Sequence, residues 1–266
     1  MATMDMKTWR TGIAKVVSSE SEEEVIVRGR NLSELTGAVS FSEMMYLMLS
    51  GDLPTKPQAR VLDALLVASV EHGIAPPSMI ARCFASYGTT IQTAVGGGIL
   101  AFGDKMGGLG EQLAKLISER IAESSSDPES ITEKKLRRVA RSIVADAIES
   151  GFRIPGYGIP LHAMDPRAPK VLGIAKAEGT FGVYGRLGEL IEEELANQRD
   201  GRRVPMNLDG VGAVVILDLG LDWRTTRMFL LTPRSVSMGA HYLEEQDQNT
   251  TWRHLPAGWI EYQATD

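Results

Sequence analysis

The sequence predicts a mainly α-helical protein. Three observations carry that expectation. Apolar residues recur at three- and four-residue spacing along most of the chain, as on one face of a helix. Ser, Thr, Gly and Pro punctuate these stretches at the positions where helices start and stop. Alternating β-branched runs are sparse, and only 6% of residues are aromatic in a chain that is 43% hydrophobic with twelve Met, the composition of a core of packed aliphatic helices.

The elements follow in chain order. Glu22-Glu23-Glu24-Val25-Ile26-Val27-Arg28-Gly29-Arg30 has a short β-branched centre and a Gly turn, which predicts a small hairpin. The acidic run 20–24 reads as a solvated loop. Asn31 to Gly37 looks like a capped helical turn. Ser40 or Ser42 can cap a helix over 42–50 that Gly51 stops. Val61, Leu62, Leu65, Leu66, Ser69 and Val70 share one face of a helix over 57–72. Pro76-Pro77 should break the chain, with helix resuming over 78–87. Residues 89–103 are apolar and rich in Gly and Ala, a composition that a buried helix tolerates when another backbone must come close. Gly103-Asp104-Lys105-Met106-Gly107-Gly108 forces a flexible turn. An amphipathic helix over 109–123, a linker Ser124 to Pro128 and a basic-then-apolar helix over 130–150 come next. A Gly/Pro cluster spans 151–169, followed by helices over 169–178 and 186–198. Val204-Pro205-Met206-Asn207-Leu208-Asp209-Gly210 is a further turn that opens an apolar helix over 210–219. A last helix over 234–246 leaves a tail with Trp252, Arg253 and His254.

At 266 residues the chain makes one large domain or two lobes sharing a core. Its ordinary hydrophobic content excludes disorder as the main state. A net charge of −6 gives none of the basic excess expected of a generic nucleic-acid binder. No run of about 18 uncharged apolar residues predicts a membrane helix, and Met1 to Arg10 lacks the apolar stretch of a signal peptide. The single Cys83 forbids an intrachain disulfide and a Cys-rich zinc site. The expected location is therefore the cytoplasm. Gly156-Tyr157-Gly158 lacks the strand and the third glycine of a dinucleotide site, and Gly96-Gly97-Gly98 lacks the Lys-Ser/Thr of a phosphate loop. No spacing argues for a metal, and no tightly bound cofactor is expected.

Four histidines remain, His72, His162, His241 and His254. His72 stands at a helix end beside Gly73, and His162 lies in the Gly/Pro cluster at 151–169. Loops on a rigid scaffold often hold chemistry, so both are candidates, beside a surface or structural role. His241 sits mid-helix and reads as a hydrogen-bonded packing residue. Asp209 just precedes an apolar helix. It can be an N-cap carboxylate, which spacing alone favours, or a general acid or base in a partly dry cleft.

Six segments, in order, resemble the citrate synthase superfamily, most nearly citryl-CoA lyase and the carboxy-terminal lyase domain of ATP-citrate lyase. Val70-Glu71-His72-Gly73 is similar to the family's Asp-His-Gly segment. Gly103-Asp104-Lys105-Met106-Gly107-Gly108 is similar to the Gly-Asp-Arg-Phe-Gly-Gly of lyase domains. Gly156-Tyr157-Gly158-Ile159-Pro160-Leu161-His162 followed by Asp165-Pro166-Arg167-Ala168 resembles the Gly-x-Gly-His … Asp-Pro-Arg loop. Asn207-Leu208-Asp209-Gly210 resembles the Asn-Val-Asp-Gly that carries the catalytic aspartate. Pro233-Arg234-Ser235-Val236-Ser237-Met238-Gly239-Ala240-His241-Tyr242-Leu243-Glu244 resembles Arg-Ser-x-Gly-x-x-Gly-His-Tyr-Leu. Trp252-Arg253-His254-Leu255-Pro256 resembles Tyr-Arg-His-Pro.

The resemblance covers roughly residues 9 to 262. It implies an all-α fold with a short N-terminal β-hairpin, a large domain from 1–107 and 223–266, a small domain from 108–222, and a cleft between them. It also implies a homodimer, with the Gly/Ala-rich helix packed closely at the subunit interface. The implied chemistry makes or breaks a carbon–carbon bond beside a coenzyme A thioester, which serves as substrate or product. Asp209 then exchanges the proton at the enolate carbon and His72 stabilises the carbonyl or alkoxide oxygen. Arg167, Arg234 and Arg253 match arginines that hold substrate carboxylates, a task suited to the guanidinium fork.

Two departures matter. Ile159 stands where the family usually has its loop histidine, and Pro160 where many members have arginine. Three readings stay open. His162 can stand in for the lost histidine in a citryl-CoA lyase. The scaffold can serve a less polar β-keto or β-hydroxy substrate, with or without coenzyme A. Or the protein can be a non-catalytic binding module, against which the retained Asp209 and His72 argue.

Overall fold

A computed structural model describes residues 9–21, 23–158 and 165–263. Near the N-terminus, β1 (Ala14–Ser18), β2 (Glu23–Val27) and β3 (Arg30–Asn31) form an antiparallel sheet in chain order, with Val16 opposite Val25 and Val27 opposite Arg30. The expected hairpin is its β2–β3 half, turned at Arg28-Gly29, where both residues have positive φ. The sequence pattern does not announce β1, because four of its five residues are exposed and it has no apolar face.

Eleven helices follow among the described residues: α1 (Leu32–Leu35), α2 (Phe41–Ser50), α3 (Lys56–Ser69), α4 (Pro76–Ser86), α5 (Ile91–Leu100), α6 (Leu109–Ser124), α7 (Glu133–Ser150), α8 (Arg167–Ala177), α9 (Val183–Asn197), α10 (Leu208–Asp218) and α11 (Met228–Asp247). The mainly helical expectation holds, and the differences lie at helix ends. Ser40 caps α2, accepting from Glu43 N while the Glu43 carboxylate accepts from Ser40 N. Pro76 and Pro77 open α4 instead of breaking the chain, since the first-turn N–H groups have no intrahelical partner to lose. Pro233, expected to precede the last helix, lies inside α11, which begins five residues earlier at Met228. The Gly103–Gly108 turn is tight: Gly103 N donates to Met106 O at 2.8 Å and Met106 N to Gly103 O at 3.0 Å. No helix among the described residues is long and apolar enough to cross a membrane.

α10 is the centre of the main core. It is apolar all round, so it must be enclosed, and Val211 to Leu217 are buried without a break. It packs on α6, α9, α8 and α3, against side chains such as Ile117, Leu187, Ile191, Val171 and Leu65. A smaller core joins α4, α5 and α11 through Ala81, Ala85, Ala94, Met238 and Tyr242. The glycines of α5 permit that approach: a Cβ on Gly98 would sit 2.6 Å from Met238 Sδ and 3.0 Å from Pro77 O.

Asp218, at the end of α10, ties it to α9. Its carboxylate accepts from the backbone N–H groups of Gly182, Tyr184 and Gly185, each at 2.9 Å. Burial pushes this carboxyl up to about 6, against the pull of those three donors. Asp218→Ala leaves the start of α9 with three orphaned donors. Denaturant melts should read a loss of about 2–4 kcal/mol, from the lost cap and unmade hydrogen bonds.

Candidate active site

α3 ends at Ser69, and the chain then runs irregularly to Ala75. Side chains hold this turn. Arg234 of α11 donates Nε to Ser69 O at 2.8 Å. Arg167, the first residue of α8, donates Nη1 to Ala68 O at 3.3 Å and to Glu71 O at 3.4 Å. Two arginines thus satisfy carbonyls that the end of α3 leaves without helical partners. His72 rides on the turn, its backbone N donating to Glu71 Oε1 at 2.6 Å.

Arg167 is anchored further by Asp165. The buried carboxylate takes Arg167 Nε at 2.9 Å and Nη2 at 2.8 Å, a bidentate pair, and also accepts from Arg167 N and Leu208 N. Arg234 differs. Its Nε is used, but its two Nη groups make no hydrogen bond among the described residues, and the nearest carboxylate oxygen, Glu71 Oε1, is 4.0 Å from Nη1. Burial lowers its pKa, and Arg167 nearby adds to the effect. A buried guanidinium with a free fork is suited to an incoming carboxylate.

Asp209 does not cap α10. Asn207 does, its Oδ1 accepting from Gly210 N at 3.1 Å, so the N-cap reading of Asp209 is overturned. Asn207 also donates Nδ2 to Gly158 O at 2.7 Å and N to Gly156 O at 3.0 Å, lacing the 156–158 loop to the start of α10. Asp209 is left in the first turn with a carboxylate that accepts no hydrogen bond from a described residue. Burial pushes it up to about 6; Arg167 pulls it down, Asp165 pushes it up, and Arg234 pulls it down.

These groups meet in one cleft of about 590 Å³. His72, Arg167, Arg234 and Asp209 line it together, Asp104, Lys105, Gln112 and Arg153 add further polar groups, and Phe102, Met106, Leu109, Phe152, Ile154 and Leu230 supply its apolar part. Larger depressions lie between α8 and α9 (about 810 Å³) and beneath the tail (about 870 Å³), but neither holds Asp209 or His72. A proton-exchanging carboxylate, an imidazole and a free guanidinium around one space can bind a carboxylate and move a proton at carbon.

Residues 55–255 match the family of the citrate synthase C-terminal domain. The chain belongs to the citrate synthase family. Its structure is similar to that of citryl-CoA lyase from Hydrogenobacter thermophilus, with a TM-score of 0.84 and 31% identity over 97% of this chain and 95% of that one. It shares its fold with ATP citrate lyase from Methanothrix soehngenii, solved in complex with citrate and coenzyme A, at a TM-score of 0.79 and 18% identity over 99% of this chain and 43% of that one. Among curated relatives, the citrate/2-methylcitrate synthase of Bacillus subtilis is 27% identical over 218 residues, 81% of this chain and 55% of the relative. The chain spans about half the length of the curated relatives it matches.

Four of the expected site residues, His72, Arg167, Arg234 and Asp209, come together in the cleft. Ile159 and His162 lie outside the described residues. Arg253 is elsewhere in the chain: its guanidinium is bound by Glu245, with Nη2 at 3.0 Å from Oε2, in the depression beneath the tail. Sequence reasoning missed Asp165 and Glu71 as partners of the arginines. The Asp-Pro-Arg order was a usable signal for Asp165, because an aspartate just before a helix can accept from its first N–H groups. Nothing local marks Glu71, whose partners on α11 are over 160 residues away.

Proposed function

We propose that this chain is a carbon–carbon lyase or synthase acting beside a coenzyme A thioester through an enolate, citryl-CoA lyase-like but with an altered, less polar substrate pocket. The observation that carries this reading is Asp209, a carboxylate raised to about 6 and free of hydrogen bonds from described residues, in one cleft with His72 and Arg234. In cleavage, a base takes the proton of a β-hydroxyl, the carbon–carbon bond breaks, and the electron pair forms the thioester enolate. Asp209 protonates that carbon. In synthesis, Asp209 removes the α-proton and the enolate carbon attacks a carbonyl. His72 donates to the oxygen that gains charge, and Arg234 holds the substrate carboxylate, with Arg167, anchored by Asp165, adding positive charge beside it. Residues 108–222 form the small domain of this reading, and 1–107 with 223–266 the large one.

Ile159 at the usual histidine position supports the less polar substrate, together with the apolar part of the cleft lining, Phe102, Met106, Phe152 and Leu230. Losing a positioned donor costs about 3–4 kcal/mol of transition-state stabilisation for citrate-type chemistry. Ile159→His tests this. On the present reading it lowers activity towards non-citrate β-keto or β-hydroxy thioesters, because a polar ring is costly to desolvate in an apolar pocket. A large gain in citryl-CoA cleavage would instead favour a citrate-type site that lost its histidine.

The active form on this reading is a homodimer. Ile91 and Leu100 of α5 and Val236 and Leu243 of α11 are exposed, Leu100 by 85%. Large apolar side chains exposed on two helices packed against each other favour an interaction surface there. Light scattering at micromolar concentration should give twice the 28.9 kDa chain mass; a monomer counts against it.

A further inference from the structure

The turn that carries His72 has no backbone ladder of its own, and α11 meets it not only through Arg234 but also through the side chain of Glu71. Glu71 Oε2 accepts from the Ser237 hydroxyl and lies 3.2 Å from His241 Nε2. Its Oε1 accepts from His72 N at 2.6 Å and lies 4.0 Å from Arg234 Nη1. His241 is itself oriented. Arg82 Nη1 lies 3.2 Å from His241 Nδ1, and because arginine can only donate, Nδ1 is the acceptor and the ring proton sits on Nε2, which lies near Glu71 but makes no hydrogen bond to a described residue. Arg82 is in turn fixed by Glu244, Glu245 and Gln248. Burial pushes the Glu71 carboxyl up, but the hydrogen bonds from Ser237 and His72 N outweigh it and keep the group below the usual carboxylate range.

We propose that Glu71 is a positioning residue of the cleft: its carboxylate, held by the Ser237 hydroxyl of α11 with His241 close beside it, fixes the turn that presents His72 to the cleft. Every oxygen of the group is used, one for the His72 peptide and one for α11. Glutamine keeps the size but replaces one acceptor with an NH₂ that faces other donors, so Glu71→Gln releases one of the two ties. Ser237→Ala removes one donor on α11 and leaves Glu71 itself intact.

The test uses the full chain labelled at histidine, which has only four resonance sets to follow. Glu71→Gln and Ser237→Ala should both move the His72 and His241 resonances and leave those of His254, on the tail, in place. In turnover of whichever thioester the unaltered protein accepts, citryl-CoA or a less polar β-keto or β-hydroxy one, Glu71→Gln should lower kcat about tenfold or more through misplacement of His72, with KM held within about threefold. Glu71→Asp, which keeps the charge, should lose less. His72 resonances unmoved in both folded variants would overturn the proposal, as would a loss confined to KM. The kinetic arm rests on the function proposed above. If the unaltered protein turns over neither citryl-CoA nor any other β-keto or β-hydroxy thioester in either direction, that function falls, and the histidine resonances alone decide the role of Glu71.

Discussion

Asp209→Asn loses turnover by about 100- to 10,000-fold and at the same time makes the fold more stable at neutral pH. The first effect is the removal of a group that exchanges a proton at carbon, with size and shape kept. The second follows from linkage. The Asp209 carboxyl lies at about 6 in the fold, against about 3.9 in an unfolded chain. The folded state therefore holds the proton to higher pH than the unfolded state does. Ionising the group weighs against folding, by nothing below about pH 4, increasingly through pH 6, and fully above it. Two pH units correspond to about 3 kcal/mol, less where cleft water screens the carboxylate. Thermal melts should put the Asn variant above the unaltered protein at pH 7.5, with the gain fading as pH falls towards 4. If activity survives within about tenfold, Asp209 is not the proton-exchanging group.

The pH profile also separates the two directions. Cleavage needs Asp209 protonated to deliver a proton to the enolate, so kcat/KM for cleavage should fall as pH rises through about 6. Synthesis needs it ionised and should rise over the same range. A cleavage rate that climbs through pH 6 would remove Asp209 from the role of acid.

Gly210→Ala should damage both fold and activity, although it adds one methyl group. A Cβ there would lie 2.3 Å from Gly156 O and 3.1 Å from its carbonyl carbon. Both obstacles are backbone, so no side chain can rotate away. Gly156 itself has φ +82, and its own Cβ would meet Gly210 Cα at 2.7 Å. The two glycines thus let the 156–158 loop lie directly on the start of α10. Overpacking of this kind costs about 3 kcal/mol or more when backbone must shift, measurable as a lower midpoint in denaturant. A displacement of about 1 Å at the neighbouring Asp209 carries a further loss near 100-fold in turnover. A variant with unchanged stability and rate would mean that the loop and helix can part without consequence.

Helix content and order are largely legible in the chain because they depend on local physics: apolar periodicity, caps such as Ser40 and Gly51, and the all-apolar run of α10. The family was legible too, since six short segments keep their residue types and order. Local reasoning erred where neighbours in space decide. Pro233 looks like a boundary, yet packing of α11 on α3, α4 and α5 carries the helix through it. Asp209 has the spacing of a cap, but Asn207 takes that place because it can also bond the 156–158 loop. The arginines share one residue type in sequence and become distinct only in the fold: Arg167 is committed to Asp165, Arg234 keeps a free fork, and Arg253 is held by Glu245 on another face. The raised pKa of Asp209 likewise belongs to no local segment. It arises from burial among α8, α10 and α11, because a field is a sum over groups that only tertiary structure brings together.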